Sequence, residues 1–245
     1  MITFLTSSPT VPSRPLFNGQ NGFLFRLQQY WCKPSRCLLI AADPADHRGN
    51  DCMTEYYRDT IQNSGLPFGG LDLWDDRYYD FDRARLASYD VIILSCGHVP
   101  TQKKWFASID LKNRMAGFDG VLIGISAGSM ISAETVYAWP ELEGETLDPD
   151  YPLFFKGLGY ARTMILPHYQ NVKDRWLDGK RLMEDIACGD SRGKSFLALP
   201  DGSYVLVEAG VETVYGEAYQ VADGQIRPFC GENQWRVAVE ARMSA

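Results

Sequence analysis

The stretch Gly120 to Met130, GVLIGISAGSM, constrains the chain more than any other. An apolar run, Val121 to Ile125, passes at once into a serine set among small residues, Gly124-Ile125-Ser126-Ala127-Gly128. This G-x-S-x-G pattern specifies a strand, a sharp turn and then a helix. A serine at the tip of such a turn sits in strained backbone geometry, so the residues two positions to either side must lack bulk. The turn exposes Ser126 Oγ and leaves the Ala127 amide at a helix N-terminus, where it can stabilise an oxyanion. The same five residues also suit an ordinary Gly/Ser turn. The test is whether the chain supplies a base and an acid.

The surrounding pattern places the turn in an α/β sheet. Met1 to Leu5 reads as a short strand, Thr6 to Gly22 as a long loop rich in proline and hydroxyls, and Phe23 to Trp31 as a helix. Cys37 to Ala42 and Asp90 to Leu94 are continuous apolar runs of strand length, as expected in a buried parallel sheet. Asp43 to Asn50 reads as a polar loop holding His47, and Asp51 to Ser64 as a helix closed by Gly65. Leu71 to Trp74 reads as a strand, Asp75 to Asp82 as an acidic loop, and a helix follows Gln102 to about Met115. Strands therefore alternate with helices from Cys37 to Ser132. The expectation is a doubly wound, mostly parallel sheet with helices on both faces and right-handed crossovers. Ligands gather at the carboxyl ends of the strands in such sheets, where Ser126 and the Gly97-His98 turn would both lie.

Beyond Ser132 the pattern changes. Glu134 to Pro152 reads as an acidic loop and Gly159 to Leu166 as a strand delivering Pro167-His168-Tyr169. Lys173 to Cys188 reads as a helix of alternating charge. From Phe196 to Val239 short strands follow, with Asp201-Gly202 and Asp223-Gly224 as hairpin turn pairs. No internal repeat or Pro/Ser linker appears, so one domain over residues 1–245 is expected.

Composition narrows the partners. A net charge of −7 without a basic stripe argues against nucleic acid. No apolar stretch approaches the ~20 residues needed to cross a bilayer, and the N-terminus lacks the pattern of a signal peptide. The six cysteines contain no C-x-x-C pair, which argues against a zinc site and for reduced thiols. A cytoplasmic protein with no membrane partner is the expectation.

A nucleophilic serine needs a base, and only His47, His98 and His168 are available. His168 ends an apolar strand, where catalytic groups collect. His98 sits in a turn suited to shaping the loop or touching substrate, and His47 in a solvated loop. For the acid, two routes stay open. One lies within the Glu141 to Asp150 loop and would give the α/β-hydrolase order of serine, acid, histidine. The other is Asp201, which would give serine, histidine, acid and would itself stand at a strand's end.

Three motifs in order, GISAGSM at Gly124 to Met130, PHY at Pro167 to Tyr169 and LPDG at Leu199 to Gly202, resemble the peptidase E, or aspartyl dipeptidase, group of serine peptidases. They are also similar to the cyanophycinases, on the same class I glutamine-amidotransferase-like fold. The resemblance covers roughly Cys37 to Val221. It implies Ser126 as nucleophile, His168 as general base, Asp201 as the acid orienting it, and Gly97 beside Ala127 as oxyanion donors. It implies a small peptide substrate and no metal or cofactor. Two departures stand out. Aspartate replaces the glutamate of L-P-E-G, and Ser95-Cys96-Gly97-His98 replaces the group's G-G-G-N turn. No arginine is placed by motif to hold a substrate aspartate, with Arg162, Arg175 and Arg192 as candidates. Glu141 is nearest to a position that holds a substrate amine.

Overall fold

The computed structural model describes residues 1–78 and 81–241. In chain order its elements are β1 (Ile2–Thr6), α1 (Phe23–Tyr30), β2 (Ser35–Ile40), α2 (His47–Asn63), β3 (Phe68–Trp74), α3 (Arg83–Ala87), β4 (Val91–Leu94), α4 (Val99–Ser108), α5 (Leu111–Arg114), β5 (Val121–Ile125) and α6 (Ala127–Ile131). There follow β6 (Thr135–Tyr137), β7 (Phe154–Lys156), β8 (Met164–Leu166), α7 (Tyr169–Val172), β9 (Trp176–Leu177), β10 (Lys180–Arg181) and α8 (Cys188–Asp190). The last strands are β11 (Ser195–Ala198), β12 (Tyr204–Glu208), β13 (Val211–Tyr215), β14 (Ala218–Ala222), β15 (Gln225–Cys230) and β16 (Trp235–Val239).

The main sheet has eight strands in the order β16-β13-β12-β1-β5-β4-β2-β3. From β1 to β3 the pairings are parallel, whereas β12, β13 and β16 extend the sheet in antiparallel fashion. Continuous apolar runs form the parallel half because both faces are covered. Alternation within a run decides the face. Leu39, Val91, Ile93 and Ile123 pack against Leu27 of α1 and Tyr57 and Ile61 of α2. Their neighbours Leu38, Ile92, Leu94 and Leu122 pack against Leu86, Trp105, Phe106 and Leu111 from α3 to α5. This is the doubly wound arrangement expected from the sequence.

A four-stranded sheet, β15-β14-β11-β8, packs against the antiparallel side of the main sheet. Leu5, Val205 and Val214 of the large sheet meet Ile165, Leu197 and Ala218 of the small one in a common apolar cluster. The two sheets are thus joined by an apolar seam near β1.

Four local expectations are corrected. Lys173 to Cys188 is not one helix: Asp178 (φ 48°) and Gly179 (φ 76°) turn the chain between β9 and β10. The Asp178 carboxylate fixes that turn by accepting from Gly144 and Thr146. A wide helical turn, Leu182–Ala187, then leads into α8. His47 begins α2 and does not lie in a loop, because Asp46 caps the helix through the Gly49 amide. Within Gly159 to Leu166 only β8 is extended. Finally, Asp201-Gly202 does not close a hairpin: β11 belongs to the small sheet and β12 to the large one. Asp223-Gly224 does close one, with both residues at positive φ between β14 and β15. The acidic loop read over Asp75 to Asp82 includes residues 79 and 80, which lie outside the described residues.

Candidate active site

The elbow is built by the end of β1 as much as by β5. Ser126 has φ 52° and ψ −111°, a conformation that costs a non-glycine residue about 1–3 kcal/mol. Its neighbours hold it there. The Ser126 amide donates to the Thr6 carbonyl at 3.0 Å, and the Ser126 carbonyl accepts from Ser129 and Met130 at 2.9 and 3.1 Å. Ser129 Oγ donates to the same Thr6 carbonyl, and Thr6 Oγ1 donates to the Gly124 carbonyl, each at 2.8 Å. The glycines are needed for close approach. A Cβ on Gly124 would lie 2.8 Å from Ser129 Cα, and one on Gly128 would lie 2.2 Å from the Leu94 carbonyl oxygen.

His168 follows β8 in the left-handed region, at φ 58°. Its Nε2 lies 2.9 Å from Ser126 Oγ and its Nδ1 lies 2.8 Å from Asp201 Oδ1. The ring's two nitrogens therefore face the serine on one side and Asp201 on the other, and no acid of the Glu141 to Asp150 loop occupies the second place. Both side chains are about one-third exposed, at 35% and 32%. Burial raises the Asp201 carboxyl, but the hydrogen bonds from His168, Ser7 and Gln170 outweigh it and leave that group below its ordinary value.

Two residues that the sequence reading passed over complete this chain. Ser7 Oγ donates to Asp201 Oδ1 at 2.6 Å and accepts from the His168 backbone amide at 2.7 Å. Gln170 donates from Nε2 to Asp201 Oδ2 at 2.6 Å, and its Oε1 accepts from the Asp201 amide at 3.0 Å. Ser7 is buried, so its loss leaves an amide and a carboxylate oxygen short of a partner. Ser7→Ala is expected to lower stability by about 1–3 kcal/mol in urea unfolding. If the chain of bonds is catalytic, it also lowers turnover several-fold with little change in KM. The available signal was position: Ser7 immediately follows β1, and Gln170 follows PHY.

Gly97 and Ala127 both lie beyond the carboxyl ends of interior strands. Leu94 and Gly124 are register partners in β4 and β5, and Gly97 and Ala127 stand equally far beyond them. A Cβ on Gly97 would lie 2.6 Å from Ala42 Cβ, so this exposed turn has no room for a side chain. The Ala127 amide sits in the first turn of α6, where helical geometry provides no acceptor. Burial pushes the Cys96 thiol up, which keeps it protonated.

His98 and Glu141 belong to a neighbouring cluster. His98 precedes α4, with Nδ1 on Thr101 Oγ1 at 3.0 Å and Nε2 on Glu145 Oε1 at 2.8 Å. Glu145 in turn accepts the amides of Glu141 and Leu142 at 2.7 and 2.9 Å. Glu141 Oε1 accepts from Trp139 Nε1, and burial raises its carboxyl above the ordinary range despite that bond. His98 thus anchors the acidic loop through Glu145, a residue without a recognisable motif. Among the described residues neither side chain bonds to Ser126, His168 or Asp201. Of the three candidate arginines, Arg175 reaches the Glu141 carbonyl. Arg162 lies before β8, at the end away from His168, and binds the Gly210 and Glu240 carbonyls. Arg192 is exposed.

No family model and no curated protein matches the chain. Solved structures share the fold. A peptidase from an acI-B1 Actinobacterium superposes with a TM-score of 0.65 at 13% identity, covering 94% of each chain. A putative peptidase E protein from Listeria monocytogenes EGD-e superposes with a TM-score of 0.50 at 16% identity, covering 89% of this chain and 96% of that one. The α/β fold with a large, mostly parallel sheet is therefore a peptidase-E-like fold.

Proposed function

We propose that the protein is a serine peptidase or amidase acting on small peptides. The observation that carries this reading is the continuous hydrogen-bonded chain Ser126–His168–Asp201, at 2.9 and 2.8 Å, with the serine on a strained elbow. The order of these residues along the chain, and the peptidase names of proteins sharing the fold, support it.

The chemistry follows from the positions. His168 Nε2 takes the Ser126 proton as Oγ attacks the amide carbonyl. The amides of Ala127 and Gly97 receive the negative charge that develops on the carbonyl oxygen. Asp201, held ionised by its donors, keeps the Nδ1 proton in place and stabilises the imidazolium. His168 then delivers the proton to the leaving amine, and an acyl-enzyme ester remains on Ser126. Water attacks that ester by the same route in reverse, releasing the acid and restoring the serine.

A fluorophosphonate probe at neutral pH tests the assignment directly. The protein is expected to be labelled at Ser126, with labelling lost in Ser126→Ala and strongly reduced in His168→Ala. Folded protein that takes up no probe would instead favour a binding protein on this fold.

A further inference from the structure

One side of the elbow opens onto an apolar cavity. It measures about 450 Å³, within the ordinary range of small-molecule sites. Met53, Tyr56 and Tyr57 of α2 form one wall, Ile125 at the end of β5 and Cys96 just beyond β4 contribute another, and the hydroxyl-bearing Ser7, Ser8 and Ser126 stand at its edge with His168. No Asp, Glu, Lys or Arg lines it among the described residues.

The wall is built to stay apolar. Tyr56 spends its hydroxyl on the Arg14 carbonyl at 2.8 Å, and its ring meets that of Tyr57 edge to face, with centroids 5.4 Å apart. Tyr57 is only 4% exposed and belongs to the core under the sheet, so this side of the cleft rests on rigid packing. The arginines that could neutralise an acidic side chain are directed elsewhere or absent from the lining: Arg162 is held beyond the opposite end of β8, and Arg175 binds the Glu141 loop. A carboxylate placed in the cavity would give up part of its hydration and find no Lys or Arg among the lining residues. An aromatic or long aliphatic side chain would bury its surface against the tyrosine rings and Met53 instead.

We propose that this cavity is a specificity subsite for an uncharged, apolar side chain of the residue flanking the scissile bond, an inference that rests on the serine-hydrolase reading above. The substrate class is then small peptides with an aromatic or large aliphatic residue at the cleavage point, not peptides with aspartate there.

Binding to Ser126→Ala protein tests the subsite without depending on turnover. The probes are three capped tripeptides, Ala-Xaa-Ala with Xaa as Phe, Leu or Asp, titrated by NMR at neutral pH. A peptide bond flanks Xaa on both sides, so either register can seat it. Phe and Leu peptides are expected to bind at least about tenfold more tightly than Asp. Adding Met53→Arg, or Cys52→Arg on the exposed side of the same cavity, is expected to reverse the order. Equal affinities, tighter binding of Asp, or no binding of any peptide overturns the proposal, as does an unchanged preference in both folded arginine variants. Probe labelling separates the two readings. A labelled Ser126 with Asp preferred rejects the subsite and keeps the hydrolase. An unlabelled Ser126 with Phe preferred rejects the hydrolase and leaves an apolar peptide cleft.

Discussion

Replacing Ser126 by alanine is expected to lower kcat/KM for small peptides by a factor on the order of 10⁴ to 10⁶, with the fold intact. The size follows from the role proposed for Ser126. Serine, base and acid act as a unit, so losing the nucleophile removes nearly all that the unit contributes, and only oxyanion stabilisation and binding remain. The substitution itself is mild, since Ser126 is held through its backbone amide and carbonyl, which alanine retains. Asp201→Asn probes the same unit from its other end. It removes the negative charge opposite His168 Nδ1 and permits the wrong tautomer, so a loss approaching 10⁴ is expected. Asp148→Asn and Asp150→Asn in the acidic loop are expected to keep near-normal rates. Peptide hydrolysis by the purified variants checks the set. Full activity in Ser126→Ala would end the assignment, and loss confined to the loop variants would transfer the acid to that loop.

The second large effect concerns stability. Gly128→Ala is expected to destabilise the protein by more than about 3 kcal/mol, or to prevent soluble folding. Helix propensity alone argues the opposite way, because alanine is favoured over glycine inside a helix by about 1 kcal/mol. The contact decides the sign. The new Cβ would lie 2.2 Å from the Leu94 carbonyl oxygen and 2.9 Å from Leu94 Cβ, and β4 is locked between β2 and β5. Neither side can retreat without opening the sheet beside Ser126. Gly189→Ala in α8 is the control: nothing lies within 4 Å of the added Cβ, so it should be neutral or mildly stabilising. Urea unfolding of both variants distinguishes packing from propensity.

What could be read from the chain depended on how local the cause was. The parallel strands were legible because their burial on two faces turns each into an unbroken apolar run. The elbow was legible because its backbone geometry is dictated within five residues, and His168 and Asp201 because short motifs mark the ends of β8 and β11. Ser7 and Gln170 were not. Ser7 meets Asp201 across 194 residues, and an isolated serine after a strand carries no pattern. The Lys173 to Cys188 segment misled because its alternating charges imitate a solvated helix. The decisive signal was the Asp178-Gly179 pair, whose turn is stabilised by the distant Gly144 and Thr146. The same holds for Glu145, whose two oxygens organise the loop around His98 through contacts that no spacing announces.

Ser126 hangs from the large sheet, while the His168 imidazole follows a strand of the small one and the Asp201 carboxylate sits where the chain crosses between them. Ser7, at the tip of β1, ties all this together by bonding to both the His168 backbone and Asp201. A slight slide of one sheet over the other would therefore part imidazole from hydroxyl before any strand lost a ladder bond. The Ser126–His168 distance thus gauges how tightly two slabs of the molecule are clamped, and the apolar cluster of Leu5, Ile165, Leu197 and Val205 is the clamp.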